Sequence, residues 1–118
     1  MSAEDILMKA KHTAIIEDFV EKMRPPEEIR PELDIGYRYE KWTLEVGEIR
    51  PPWNDMKSGK KLWIPAAKAK YVKSRKIWRL YWMRASGKWE YLTPLGEQTD
   101  LVKVLELIKE NPNGFFFG

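Results

Sequence analysis

The stretch from Ala66 to Tyr91 constrains the fold of this chain more than any other part of the sequence. Its many aromatic and β-branched residues favour strands over a helix, and two turn signals interrupt it. Ser74-Arg75 is a polar break, and the glycine of Ala85-Ser86-Gly87 can take the positive φ that a three-residue hairpin loop needs. The stretch therefore predicts three consecutive antiparallel strands.

The predicted pairing of Val72 with Ile77 across the 74–75 turn sorts this stretch into two sets, because side chains alternate between the faces of a strand. One face sets small residues opposite large ones, as a packed core requires: Ala67, Ala69, Tyr71, Trp78, Leu80, Trp82 and Leu92. The other face carries Lys68, Lys70, Arg79, Tyr81, Met83, Trp89 and Tyr91. In this register Lys70 lies opposite Arg79, which is mildly destabilising. Either the register differs or this face is kept basic for an anionic partner.

The composition is that of a globular protein, and we expect one domain over residues 1–118. A hydrophobic content of 43% with 33% charged residues is outside the range of a disordered chain. No apolar run is long enough for a transmembrane helix, so we expect a cytoplasmic protein without a membrane partner. The absence of cysteine excludes a disulfide framework, a thiolate zinc site and a thiol nucleophile.

Helical patterns flank the strands at both ends of the chain. Apolar residues at helical spacing from Ser2 to Met23 predict an amphipathic helix, which Pro25-Pro26 ends. Thr99 or Asp100 can cap a second helix, and at least one of the closing phenylalanines is expected to pack on the body, as a short edge strand. The predicted fold class is α+β, with an N-terminal helix, about five antiparallel strands in two units (33–50 and 66–93), a C-terminal helix and an aromatic tail.

The segment between the first helix and the central strands divides into a hairpin and a connection. Residues 33–50 alternate between apolar and polar and predict a hairpin with Glu40-Lys41 as its two-residue turn. Residues 51–65 have no regular pattern and predict an irregular loop, of the kind that is often functional or mobile. Trp53 and Trp63 bracket this loop and are expected to pin its ends to the domain.

Several of these motifs together resemble a family of small bacterial proteins, the domain of unknown function numbered three thousand and twenty-four. The resemblance spans nearly the whole chain and implies a free-standing single domain. It implies no activity, cofactor or catalytic residue. The motifs that carry it are Arg24-Pro25-Pro26, Leu33 to Tyr37, Glu48 to Pro51 followed by Trp53, Ala67 to Trp82, Arg84 to Trp89, and Phe116-Phe117-Gly118.

A metal-dependent nuclease is the catalytic hypothesis that the sequence raises. Asp34 followed by Glu48-Ile49-Arg50 loosely resembles a carboxylate pattern that holds a divalent metal. Arg50 stands where that pattern has a lysine and cannot be deprotonated, and Asp34 and Glu48 point to opposite faces of the predicted hairpin. The alternative is an ion pair between Glu48 and Arg50. We predict no catalytic residue, metal site or cofactor, and we expect His12, the single histidine, on the helix surface.

The second face of the central strands is the candidate binding surface. Residues 1–56 are rich in acids, whereas the segment from Lys57 to Lys88 is almost purely basic. Cations attract phosphates and aromatic rings stack bases, so this combination predicts single-stranded nucleic-acid binding. We call the six residues concerned the basic aromatic patch: Lys68, Lys70, Arg79, Tyr81, Trp89 and Tyr91.

Three alternatives compete with nucleic-acid binding at the basic aromatic patch. The lysines form an ordinary solvated face, or the C-terminal helix and the phenylalanine tail cover the rings. In the third alternative the patch binds a protein partner or a second copy of the chain, since Tyr, Trp and Arg also dominate interface hot spots.

Overall fold

The computed structural model describes residues 2–117 and has the predicted α+β architecture. Along the chain, one α-helix precedes six strands and a second α-helix follows them. One turn of 3₁₀-helix comes last, at Pro112–Gly114. The elements are α1 (Ala3–Met23), β1 (Asp34–Glu40), β2 (Thr43–Arg50), β3 (Leu62–Val72), β4 (Ile77–Met83), β5 (Trp89–Tyr91), β6 (Glu97–Gln98) and α2 (Leu101–Glu110). No helix within 2–117 is both long enough and apolar enough to cross a membrane.

The strands form one antiparallel sheet in the order β1-β2-β3-β4-β5. The short strand β6 also pairs with β4, on the edge that β5 uses. Met83 pairs with Trp89 near one end of β4, and Trp78 pairs with Gln98 nearer the other. Strands β5 and β6 therefore lie along the same edge of β4, and the short segment between them interrupts the pairing.

The two faces of the sheet have different surroundings. Both helices pack on the face that we call the covered face, where Trp78 and Leu80 are no more than 1% exposed. Helix α1 contributes Ile16 and Val20 to this core, and α2 contributes an apolar stripe. The opposite side of the sheet, which we call the open face, carries the alternate residues of each strand and no packed helix. Antiparallel sheets of this kind bury one side and leave the other to solvent.

Caps hold both helices where the sequence predicts them. The Ser2 hydroxyl accepts a hydrogen bond from the backbone N–H of Asp5 (3.1 Å), and α1 ends at Met23, ahead of the two prolines. The Asp100 carboxylate accepts one from the backbone N–H of Val102 (3.0 Å). Each cap satisfies a backbone donor that the first helical turn leaves without a partner.

The register of the β3–β4 hairpin is as predicted, with Val72 opposite Ile77 and Lys70 opposite Arg79. The turn itself is longer than the predicted Ser74-Arg75 pair, since all four residues 73–76 lie outside the strands. In the next hairpin the backbone N–H of Arg84 donates to the carbonyl of Lys88 (2.9 Å), which closes the predicted loop. Gly87 takes the expected positive φ of 84° in that loop.

The predicted turn of the first hairpin is wrong by one residue. Lys41 and Trp42 form it, with φ of 49° and 64°, so Tyr39 pairs with Leu44 instead of Trp42. Positive φ is unfavourable for a bulky residue, and long-range packing compensates, because the Trp42 ring lies 5.7 Å from that of Tyr71. The pairing moves by two residues, an even number, so every side chain keeps its predicted face.

The irregular connection is shorter than predicted, because β3 begins at Leu62 and not at 66. The pairing with β2 shifts between Val46 and Gly47, because β3 has one extra residue there, Ala66. Pro65 lies opposite Gly47 beside this irregularity, where a strand tolerates a proline. A Cβ at Gly47 would collide with the carbonyl oxygen of Ile64, so the close approach of β2 and β3 requires glycine here.

The expectation that Trp53 and Trp63 both pin the ends of this connection is half right. Trp53 is 88% exposed and pins nothing, whereas Trp63 is part of β3 and packs on the sheet. The connection itself covers residues 51–61, and nearly all of its side chains are exposed. Packing in the core therefore does not account for the tryptophan at position 53.

His12 is buried, and its expected position on the helix surface is wrong. Its ring centroid lies 4.9 to 5.9 Å from those of Tyr39, Tyr71 and Trp78, and its Nδ1 is 2.7 Å from the Tyr39 hydroxyl. His12 precedes Ile16 by one helical turn, so α1 directs both side chains onto the covered face. Burial lowers the pKa of His12 below its ordinary value.

The phenylalanine tail packs on the body as expected, though as turns and not as an edge strand. The side-chain oxygen of Asn111 accepts hydrogen bonds from the backbone N–H groups of Phe116 (2.8 Å) and Phe117 (3.0 Å). Phe116 is 7% exposed, and the Phe115 ring lies 4.9 Å from that of Trp82 on the covered face. Asn111, in the left-handed conformation that ends α2, therefore also anchors the tail.

Candidate nucleic-acid interface

The structure brings all six residues of the basic aromatic patch together on the open face. Lys68 on β3 pairs with Tyr81 on β4, which pairs with Tyr91 on β5. Lys70 and Arg79 form the neighbouring cross-strand pair, and Trp89 precedes Tyr91 by two residues on the same strand. Cross-strand neighbours have Cβ atoms about 5 Å apart, so the six side chains form one continuous surface.

Lys68 is at the centre of the patch. Its Nζ lies 5.0 Å from the ring centroid of Tyr81 and 5.0 Å from that of Trp89, so one ammonium group contacts two aromatic faces. Partial burial lowers the pKa of Lys68, and the positive charge of Lys70 lowers it further. The rings contact this cation directly, and the carboxylate of Glu45, its cross-strand neighbour on β2, opposes the lowering of its pKa without forming an ion pair with it.

Arg79 makes the second cation–aromatic contact of the patch. Its Cζ lies 4.7 Å from the Tyr91 ring centroid, and its Nε donates a hydrogen bond to the Tyr81 hydroxyl (3.3 Å). That hydrogen bond raises the pKa of Arg79 above its ordinary value, so the guanidinium stays charged. The Tyr81 and Tyr91 rings lie 5.7 Å apart at 70°, an edge-to-face arrangement that fixes both rings.

Lys70 differs from the other two cations because its side chain is exposed. It lies between Thr43 on β2 and Arg79 on β4, so the like-charge pair that the register predicts is present. Like charges placed directly opposite each other are destabilising, and Glu97 on β6 lies on the other side of Arg79. Lys70 is the most exposed residue of the patch.

The alternative in which the C-terminal helix and the tail cover the rings is wrong. Helix α2 packs in the core of the covered face. The Phe115 ring contacts Trp82, whose side chain points away from those of Tyr81 and Met83, its neighbours on β4. The rings of the patch are half-buried by the cations and by one another, and the Tyr91 ring also packs against Gly96.

The arginines divide into two groups according to their partners. Five of the seven arginines form ion pairs with a carboxylate: Arg24, Arg30, Arg50, Arg75 and Arg84. In the described part of the chain, Arg38 and Arg79 have no carboxylate within salt-bridge distance. Both lie on the open face, each against an aromatic ring.

Arg38 and Trp63 are residues that the sequence reasoning missed. The Arg38 Cζ lies 4.7 Å from the Trp63 ring centroid, and the Trp63 Nε1–H donates to the Glu45 carboxylate (3.2 Å). The alternation of the first hairpin places Arg38 on the polar face, and this pattern is sufficient to identify it as a candidate. Trp63 falls in the predicted loop, because Pro65 disfavours a strand and so the start of β3 cannot be predicted.

The residues of the nuclease hypothesis have other partners. The Asp34 carboxylate accepts two hydrogen bonds from Arg24, at 3.0 Å from Nε and 2.9 Å from Nη2, and these lower the pKa of Asp34. Glu48 forms the ion pair with Arg50 that the sequence offered as the alternative (3.5 Å). Over residues 2–117, no three side chains of His, Asp or Glu lie together as metal ligands. The structure therefore gives this hypothesis no support.

Comparison with known proteins agrees with the resemblance that the motifs indicate. Neither the curated proteins nor the solved structures contain a match to this chain. A family model described as a domain of unknown function (DUF3024) matches residues 3–118, nearly the whole length. The chain with this helix-covered sheet and its open basic face belongs to the DUF3024 family.

Proposed function

We propose that this domain binds single-stranded nucleic acid through the basic aromatic patch. The observation that carries the proposal is the position of Arg79. Five arginines pair with carboxylates, whereas Arg79 lies on the helix-free face of the sheet with two lysines and three rings. Cations without carboxylate partners beside aromatic rings are what a protein offers to phosphates and bases.

The two kinds of group in the patch have separate tasks. Lys70 and Arg79 bind phosphate oxygens, and Tyr81, Trp89 and Tyr91 stack on bases. Cations already lie against the rings in the free domain. A phosphate that draws Lys68 outward therefore frees the faces of two rings for a base. Bases within a duplex have no free π-face, so the proposal specifies a single strand, with little dependence on sequence.

A protein partner is the second candidate, because interface hot spots use the same residue types. The patch favours nucleic acid because its open cations match a ligand with regularly spaced negative charges. We also infer that the protein acts in the bacterial cytoplasm, where single-stranded nucleic acid is available.

The test is fluorescence-anisotropy titration of the protein with labelled single- and double-stranded oligonucleotides at about 50 and 200 mM salt, the range in which phosphate contacts are most evident. We expect single strands to bind more tightly than duplexes, and the affinity to fall steeply between the two salt concentrations. Flat titrations at both concentrations would reject nucleic-acid binding and leave the protein partner as the better candidate.

A double variant locates the binding surface. Tyr81→Ala with Lys70→Glu removes one stacking ring and reverses one exposed charge, and we expect no measurable binding in the same titration. Tyr81→Phe keeps the ring and should retain most of the affinity. Lys11→Glu makes the same charge change on the exposed side of α1 and should bind as the wild type does. Circular dichroism must show that the double variant is folded, since unfolding would identify this face as core.

A further inference from the structure

A second cation–aromatic pair lies on the open face, outside the basic aromatic patch. Arg38 on β1 contacts the Trp63 ring on β3 (4.7 Å), and Trp63 is held by its hydrogen bond to Glu45 on the strand between them. Gly36 lies beside this pair on β1, where a Cβ would be in ordinary contact with the Trp63 ring (3.6 Å) and would displace the end of the Ile49 side chain (2.7 Å).

Arg38 lies in the same row of cross-strand neighbours as three residues of the basic aromatic patch. Arg38 pairs with Glu45, Glu45 with Lys68, Lys68 with Tyr81 and Tyr81 with Tyr91, so a single row crosses five strands. Four steps of about 4.8 Å between neighbouring strands make the row about 19 Å long. At the spacing of about 3.4 Å between stacked nucleotides, the row accommodates roughly five of them.

Open space lies on both sides of Arg38. One groove of about 340 Å³ is lined by Arg38, Glu40, Lys41, Thr43 and Glu45. A second of about 290 Å³ borders Arg38, Lys61 and Trp63. The guanidinium and the indole therefore face solvent-accessible grooves, and a ligand can reach both.

We infer that Arg38 and Trp63 form a second subsite, which takes a phosphate and a base of the same single strand that the basic aromatic patch binds. The inference rests on the proposed function. Arg38 contacts the phosphate, and the base stacks on the guanidinium or on the indole, as single-stranded ligands do with arginine and tryptophan. The strand runs across the sheet, perpendicular to the protein strands, from β5 to β1.

Glu45 explains why there are two subsites and not one continuous track. Its carboxylate lies between Arg38 and Lys68 in the row, and it repels a phosphate at the centre of the sheet. Phosphates are therefore directed to Arg38 on one side of Glu45 and to the basic aromatic patch on the other. Within residues 2–117 neither Arg38 nor Arg79 forms an ion pair, since Glu97, which lies opposite Arg79, pairs with Arg75. The same carboxylate orients Trp63 through the hydrogen bond to its Nε1.

Oligonucleotide length provides the test. Labelled oligothymidylates of three and eight nucleotides are titrated against the wild type and against Arg38→Gln, which removes an exposed charge without disturbing the core. We expect the wild type to bind the eight-mer at least about five-fold more tightly than the three-mer, because one further stacked base contributes that much. In Arg38→Gln the eight-mer should lose this advantage while the three-mer binds as before. The salt dependence of eight-mer binding should also become shallower by about one phosphate contact.

Arg50→Gln is the matched control. Arg50 is an exposed arginine on the next strand, it pairs with Glu48, and its removal should leave both titrations unchanged. If Arg38→Gln binds the eight-mer as the wild type does, the second subsite is refuted and the patch stands. If the wild type binds neither oligonucleotide, the proposed function fails and the second subsite fails with it.

Discussion

The covered and open faces of the sheet are both rich in aromatic rings, and they differ in what lies against those rings. On the covered face the rings of Tyr71 and Trp78 pack against the buried ring of His12 (5.0 and 4.9 Å). Among the described residues, cations reach this ring cluster only at the more exposed Trp42, where Lys9 and Lys73 lie. On the open face Tyr81, Trp89 and Tyr91 lie against a lysine and an arginine. The same alternating strands supply both surfaces.

The difference shows that ring content alone does not identify a binding surface. On the covered face polar atoms find partners inside the protein, as Tyr39 does with His12. On the open face the hydrogen bond of Arg79 to Tyr81 leaves most of the guanidinium donors for a ligand. Charge left without a carboxylate partner, more than aromatic content, is the reason that we propose the open face as the binding surface.

Alanine substitution of one tryptophan on each face should change stability by very different amounts. Trp78→Ala empties a site that is 1% exposed and should cost about 3–5 kcal/mol of unfolding free energy. Trp89→Ala on the open face removes a ring whose contact is with Lys68, and should cost about 1 kcal/mol. Urea denaturation followed by circular dichroism measures both variants. Equal losses would mean that the open face is packed as tightly as the core.

A smaller effect is expected from pH, and it reports on the covered face alone. Burial lowers the pKa of His12 from its ordinary 6.5, so the unfolded chain takes up a proton at a pH where the folded protein does not. This contribution to stability is complete above pH 6.5 and is lost as the pH falls below that value. Denaturation between about pH 7 and pH 5 should show the decline, since that window lies above the ordinary pKa of Asp and Glu. In His12→Gln the decline should disappear, and an unchanged slope would assign it to other groups.

A charge reversal at Lys70 should change the stability of the open face only slightly. Lys70→Glu replaces a like-charge pair with an opposite-charge pair across from Arg79, which should raise the unfolding free energy by about 0.2–1 kcal/mol. The same substitution should weaken oligonucleotide binding. A variant that gains stability while it loses affinity would show that the domain keeps this repulsion for its ligand. A loss of both would indicate that Lys70 has a structural partner.

Local patterns account for the parts of the fold and site that could be predicted. The β3–β4 register follows from the alternation of residues such as Ala69 and Lys70, and it assigned all six residues of the basic aromatic patch to one face. The helix limits follow from caps and prolines that act within one turn. The first turn and the start of β3 could not be predicted, because Trp42 is held at positive φ by distant packing and Pro65 is tolerated only beside a bulge.

Local sequence patterns predict an antiparallel sheet, flanked by two helices, with one apolar face and one polar face that carries the basic aromatic patch. Periodicity is a property of neighbouring residues, so it needs no knowledge of the rest of the chain. The folded structure adds that the helices and the tail share one face, that His12 is buried, and that Arg38 lies against Trp63. These outcomes depend on contacts between residues far apart in sequence, where shape and charge partners determine which surface is buried and which stays open to a ligand.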